Sequence, residues 1–305
     1  YNLQSTFAAL SFYNPDTTPW IIGAVEAVLV GYCLLGGGKR VIKATSTLVP
    51  LMGVIYISVA FILTIMHINL VPGVVGRIFA EAFDFTAIFG GFAGSCMMFG
   101  IKRGLYSNEA GVGSAPNAAA AADVSHPVKQ GLVQMLSVFI DTLLICTATA
   151  FMCLSSGIEP TKELAGAPYV QAALAASMGD YAKLFITVSM VLFAFTTLLG
   201  NLYYVDNAFA YVLKHVPGKT FTLCYRILAC VLIFIGAGSS MGTMWDLADV
   251  TMGFMAIINL PVICILGGPA LRALDDYTEQ RNAGKNPEFK ASKIGLTQKL
   301  DYWQD

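Results

Sequence analysis

Eight consecutive residues, Ser107-Asn108-Glu109-Ala110-Gly111-Val112-Gly113-Ser114, set two hydroxyls, an amide, a carboxylate and two close glycines into an otherwise apolar chain. Ser and Asn accept hydrogen bonds from the free amides at a helix start, and Glu suits a first helical turn. The run therefore reads as a capping turn. It reads equally as a gate, in which Asn108 and Glu109 line an exit or lock it against a basic residue. Asp141 and Thr142 follow inside a long apolar run. An acid in such a run is costly, and it suits a proton carrier or the partner of a neighbouring helix. Glu26, Asp206, Asp246 and Asp249 lie nearer the ends of their runs.

Two further groups could bind small charged ligands. In Phe89-Gly90-Gly91-Phe92-Ala93-Gly94-Ser95, three glycines in five residues would unwind a helix cheaply. Amides freed at Gly90, Gly91 and Gly94 could hold a carboxylate, and freed carbonyls an ammonium group or Na⁺. Phe92 could cap a small side chain, and Ser95 could supply a hydroxyl. The plain alternative is close helix packing through small residues. In Phe193-Ala194-Phe195-Thr196-Thr197-Leu198-Leu199-Gly200-Asn201, two adjacent hydroxyls sit in an apolar run. Neutral oxygens suit a monovalent cation that must also leave. Threonine hydroxyls also commonly bond back to the carbonyl four residues earlier.

Other patterns fail. Gly36-Gly37-Gly38-Lys39 has Cys33 where a phosphate loop needs glycine, and Gly111-Val112-Gly113 lacks the third glycine of a dinucleotide turn. The three histidines (His67, His126, His215) are isolated, which speaks against a metal site other than one for Na⁺. The seven cysteines all lie in apolar segments without paired spacing. No Ser/His/Asp grouping indicates an enzyme.

The elements that hold these residues must cross a membrane. Of 305 residues, 56% are hydrophobic and only 12% charged, about half the charge of a soluble domain. A net charge of −1 leaves no footprint for nucleic acid. Seven spans are predicted: Trp20–Gly36, Ala44–His67, Phe89–Leu105, Val128–Gly157, Ala182–Leu213, Phe221–Gly238 and Thr243–Leu266. The third is interrupted by its glycines. Short amphipathic pieces are predicted at Pro72–Phe85 and Thr161–Tyr181. Alternating connections collect 15 Lys and Arg on one side, Lys102, Arg103 and the C-terminal tail included, against three on the other. The positive-inside rule makes the first side cytoplasmic, with the C-terminus inside and the N-terminus outside. That orientation, with Tyr1 in place of Met and no signal-peptide pattern, suggests a fragment. The tail after Leu271 is charged, and Trp303 is expected to touch the membrane surface.

The stretch from Gly100 to Gly157, with Gly100-Ile-Lys-Arg-Gly-Leu-Tyr-Ser-Asn-Glu-Ala-Gly-Val-Gly-Ser-Ala-Pro116 at its head, resembles the signature region of the sodium:alanine symporter family. The similarity reaches across most of Pro19–Leu266. Weaker echoes are Leu35-Gly36-Gly37 with Lys39-Arg40, Val49-Pro50, Phe193-Ala194-Phe195 with Thr197, and Trp245 with Asp249. Tyr203-Tyr204-Val205-Asp206 departs from the family's Tyr-Tyr-Gly-Glu by losing its glycine.

The resemblance implies an all-α polytopic membrane protein, part of a ten-helix inverted-repeat (leucine-transporter-like) fold. It implies import of alanine or glycine driven by Na⁺ through alternating access, in a cell-membrane protein with no cofactor beyond the coupling ion. Residues 1–88 would close the first repeat, 89–270 form the second, and 271–305 make a cytoplasmic tail. On that alignment Thr196 and Thr197 fall on the eighth core span as sodium ligands. Gly90, Gly91, Phe92, Gly94, Ser95 and Trp245 serve the substrate, with Trp245 at an outer gate, and Asn108, Glu109, Asp141 and Asn201 serve gating or coupling. The family's first discontinuous helix and its tryptophan-rich motif are missing, so this chain alone is expected neither to transport nor to bind well. A transporter of the same fold with another cargo or H⁺ as driver stays open. A seven-span receptor is disfavoured by the glycine breaks, and a retinal protein by the absence of lysine from Thr243–Leu266.

Overall fold

The computed structural model describes residues 1–35, 38–83, 92–109, 111–161, 164–296, 300 and 302–303. Among these the regular structure is helical throughout. In chain order the helices are α1 (Asn2–Thr6), α2 (Thr18–Leu35), α3 (Gly38–Met66), α4 (Val71–Ala82), α5 (Phe92–Asn108), α6 (Ser114–Ala119), α7 (Pro127–Phe139), α8 (Thr147–Leu154), α9 (Ala167–Met178), α10 (Tyr181–Leu213), α11 (Lys219–Gly238) and α12 (Met241–Asn282). A π-helical segment, Ile140–Cys146, joins α7 to α8.

Six stretches are long and apolar enough to cross a membrane: Thr18–Leu35, Thr45–Met66, Pro127–Leu154, Tyr181–Leu213, Lys219–Gly238 and Met241–Asn282. They match six of the seven predicted spans. The remaining one overlaps α5, whose described part has 17 residues and carries Lys102 and Arg103. The two short pieces form helices α4 and α9, of which α4 is amphipathic and α9 is not. Leucine, isoleucine and phenylalanine side chains on the long helices are widely exposed, as lipid-facing surfaces require.

The chain divides into two compact units. The first comprises Tyr1–Phe99 and Leu144–Leu247. Its closest helix pair is α2 and α11, which approach through small residues. A Cβ added at Gly23 would lie 2.6 Å from the Ala237 methyl carbon, and one at Gly238 would lie 2.4 Å from the Trp20 ring. Small residues let helices meet where no hydrophobic effect drives them together. The Arg226 guanidinium crosses this pair. It donates to the Leu34 carbonyl at the end of α2 (2.6 Å) and to Asp206 of α10 (2.9 Å). A second core joins Tyr56, Ala60 and Leu63 of α3 with Met152, Leu174, Ala182 and Ile186.

The second unit comprises Gly100–Leu143 and Ala248–Asp305. Its frame is α12, a 42-residue helix with Pro261 and Pro269 inside it. The helix ends in a Schellman turn. The Lys285 amide bonds to the Gln280 carbonyl, the Gly284 amide to that of Arg281, and Gly284 takes φ 72°. The turn sends the tail back along the helix. Trp303 correspondingly packs on Phe289 and donates to the Val124 carbonyl (3.3 Å). The indole N–H thereby has an acceptor within the protein.

Candidate functional site

A break in the helical path lies at the polar run. Phe92, Gly94 and Ser95 fall within α5, which begins at Phe92. Gly90 and Gly91 lie outside the described residues. Between Asn108 and Ser114 the backbone turns left-handed three times, at Glu109 (φ 54°), Gly111 (φ 80°) and Gly113 (φ 101°). A glutamate in that conformation is strained by roughly 1–2 kcal/mol. Glycine accepts it, and the two glycines also let other residues close in. A Cβ on Gly113 would sit 3.1 Å from Asn259 Cγ, and one on Gly111 2.9 Å from Leu260 Cδ2.

The polar groups around the break are tied down individually. Ser107 donates to Asp141 Oδ2 (2.7 Å). Asn108 Nδ2 donates to Thr142 Oγ1 (3.1 Å) and to the Gly104 carbonyl. The Ser114 hydroxyl donates to Glu109. Asn259 Nδ2 donates to the Gly111 carbonyl (3.0 Å). One turn earlier on α5, Arg103 makes a two-pronged pair with Asp249 of α12, both contacts at 3.0 Å, with Lys102 at 3.7 Å.

Asp141 and Thr142 sit at the start of the π-helical segment, inside the span Pro127–Leu154. A π turn widens the helix by one residue per turn. It aims side chains that a regular helix would not, and it recurs at functional sites. The result is a polar patch, inside a membrane-spanning stretch, built from one broken and one widened helix. Its hydroxyl, amide and carboxylate oxygens suit a small zwitterion or a monovalent cation. Among the described residues no group of three or more His, Cys, Asp or Glu gathers as a metal site.

Lys102 and Arg103 stand apart from the tail along α12. Along α12, Arg103 meets Asp249, whereas the tail packs around Asp276, 27 residues later, about 40 Å of helix at 1.5 Å per residue.

Other predicted residues stand apart. Thr196 is buried, and its hydroxyl donates to the carbonyls of Leu192 and Phe193 in its own helix. Thr197 is exposed, as is Asn201. The two threonines therefore face differently and do not form a pair. Trp245 is half-buried near the start of α12. The break thus gathers Asn108, Glu109 and Asp141, together with Ser107, Thr142 and Asn259. Asn259 was missed, although it is the one amide in the apolar run 252–266.

Comparison with known proteins follows the same line. The profile of the sodium:alanine symporter family matches residues 2–291. The amino-acid carrier protein AlsT of Bacillus subtilis is 42% identical, over 93% of this chain and 60% of its own length. The probable sodium/glutamine symporter GlnT of the same organism is 39% identical, over 99% and 63%. A sodium/proton-dependent alanine carrier protein of Bacillus sp. strain PS3 is 37% identical, over 99% and 71%. The chain thus spans about three-fifths of the length of the first of these relatives.

Proposed function

The chain belongs to the sodium:alanine symporter family, a family of multi-pass membrane transporters rather than enzymes, and on that premise we propose that it forms part of a symporter importing a small neutral amino acid, alanine or glycine, on inward Na⁺ flow. The observation that carries this reading is the break at Glu109–Gly113 facing the π-helical Asp141–Thr142 inside a membrane-spanning stretch. Transporters bind cargo where helices are discontinuous, since unwound backbone is tolerated only beside protein or a cavity. Here the amino acid would meet Asn108 and the freed backbone of the break, and Asp141 would respond to its charge. Thr197, with its hydroxyl exposed on α10, is the candidate sodium ligand, while Thr196 is spent on its own helix.

On this reading the chain forms part of an inverted-repeat scheme of ten core spans working by alternating access. Residues 1–88 would close one repeat, 89–270 form the other, and the tail would lie on the cytoplasmic side. The Lys and Arg asymmetry supports that orientation. One charge moving through 100 mV supplies about 2.3 kcal/mol, enough for accumulation of about fifty-fold.

The test is labelled alanine uptake in liposomes by the complete symporter of which this chain is proposed to form part, with an inward Na⁺ gradient, then with choline replacing Na⁺. Uptake that survives the replacement contradicts sodium coupling. Proton coupling is the second reading, favoured by two acids within spans. Asp141 is one. Glu26, at the middle of α2, has its Oε1 buried with no hydrogen-bond partner among the described residues. Uptake driven by an inward proton gradient without Na⁺ would establish it.

A further inference from the structure

His126 joins the C-terminal tail to the loop between α6 and α7. Its side chain is fully buried (0% exposed). It caps α7, with Nδ1 accepting from the Val128 amide at 3.2 Å. Its other nitrogen, Nε2, lies 3.3 Å from Asp276 Oδ2 on α12. These contacts specify the neutral ring with its proton on Nε2, because Nδ1 must keep a lone pair for Val128. The ring stands edge-on to Tyr277 and Phe289, with centroids 5.2 and 5.1 Å away.

The tail closes over this histidine. The Phe289 amide donates to the Ser125 carbonyl (2.9 Å), and the Ser125 hydroxyl to the Pro287 carbonyl (2.9 Å). Lys129 reaches both Ser125 Oγ (2.6 Å) and Asn286 Oδ1 (2.7 Å). Phe289, Ala291 and Ile294 bury themselves against Ala273, and the Arg272 guanidinium holds the Ile294 carbonyl. The charged groups facing the imidazole are Asp276 from α12, Lys129 from α7 and Lys293 from the tail; Lys293 also lies 3.7 Å from Asp276.

We propose that residues 285–296 are a proton-sensitive clamp on the loop between α6 and α7, closed while His126 is neutral and released when it is protonated. Protonation would put a second N–H on Nδ1, pointing at the Val128 N–H, and would leave a cation in a pocket of aromatic rings. Burial lowers the pKa of His126 from its ordinary value, with Lys129 and Lys293 adding to the shift and Asp276 opposing it. The sign follows from linkage. A lowered pKa means that the closed clamp binds fewer protons than the open one. Its stability is full above the ordinary histidine value near 6.5 and falls as the pH drops through it.

The clamp itself does not depend on the transport reading. Only its consequence does: release would free the connection between α6 and α7, so acidification on the tail's side would change transport rate. The test is hydrogen exchange of the full chain in lipid nanodiscs at pH 7.5 and 5.5, with protection normalised to the unstructured rate at each pH. Wild type should lose protection at the Phe289 amide by at least about fivefold at pH 5.5, the size of one N-cap hydrogen bond. His126→Asn keeps a capping oxygen and removes the titration, so its protection should not change with pH. Phe289→Ala, which keeps His126 but removes the ring packed on it, should leave the amide of residue 289 unprotected at both values. Wild-type protection that stays flat, or that falls equally in His126→Asn, overturns the proposal.

Discussion

At the residue scale the account turns on the left-handed backbone at the break. Gly113 at φ 101° has Asn259 3.1 Å from where a Cβ would be. Gly113→Ala is therefore expected to cost about 1–2 kcal/mol in backbone strain and to displace Asn259 from the Gly111 carbonyl. Alanine uptake should fall at least about tenfold. Gly131→Ala, in a helix with nothing within 4 Å of the new methyl, should leave uptake unchanged. Uptake and thermal stability of the two variants, compared side by side, check this. The residue types at the break were legible in the sequence, because Asn108, Glu109 and Asp141 are polar groups in apolar surroundings. Their pairing was not. Ser107 with Asp141 and Asn108 with Thr142 lie 34 residues apart, and neither charge nor periodicity encodes which hydroxyl meets which acid. The different exposure of the two threonines has a simple reason: adjacent residues on a helix point about 100° apart, so Thr196 turns inward and Thr197 outward.

At the element scale, six spans could be read from length and hydropathy alone, since the bilayer sets both. The left-handed turn at Gly111 and Gly113 could not, because the tertiary contacts of Asn259 and Leu260 hold it. A π-helical segment has no sequence signal, because it reflects one residue more than a regular helix between fixed contacts. The helix α9 provides another case. Gln171 is 2% exposed, and its Nε2 reaches the Thr6 carbonyl (3.0 Å), the Lys183 carbonyl (3.2 Å) and Thr187 Oγ1 (3.0 Å). It fastens α9 to α1 and α10, far apart in sequence. Gln171→Leu keeps the size but strands these acceptors. It should destabilise the fold by about 1–3 kcal/mol, read as a lower melting temperature in detergent, while a loss no larger than that of Thr187→Val would show the fastening to be slack.

At the scale of the whole molecule, the fold class follows from composition and the family from the signature run. The path of the tail follows from neither. The Schellman turn at Gly284 and the buried ring of His126 convert what reads as a charged extension into a packed part of the second unit. The central claim is that cargo meets the break while the ion meets α10. Equilibrium binding of labelled alanine across a Na⁺ titration tests it most directly, for wild type, Asn108→Ala and Thr197→Ala. The account predicts that Asn108→Ala weakens alanine binding at least about tenfold even at saturating Na⁺. It predicts that Thr197→Ala binds alanine normally at high Na⁺ but needs several-fold more of it. Wild-type alanine affinity in Asn108→Ala, or an unchanged Na⁺ requirement in Thr197→Ala, would contradict it.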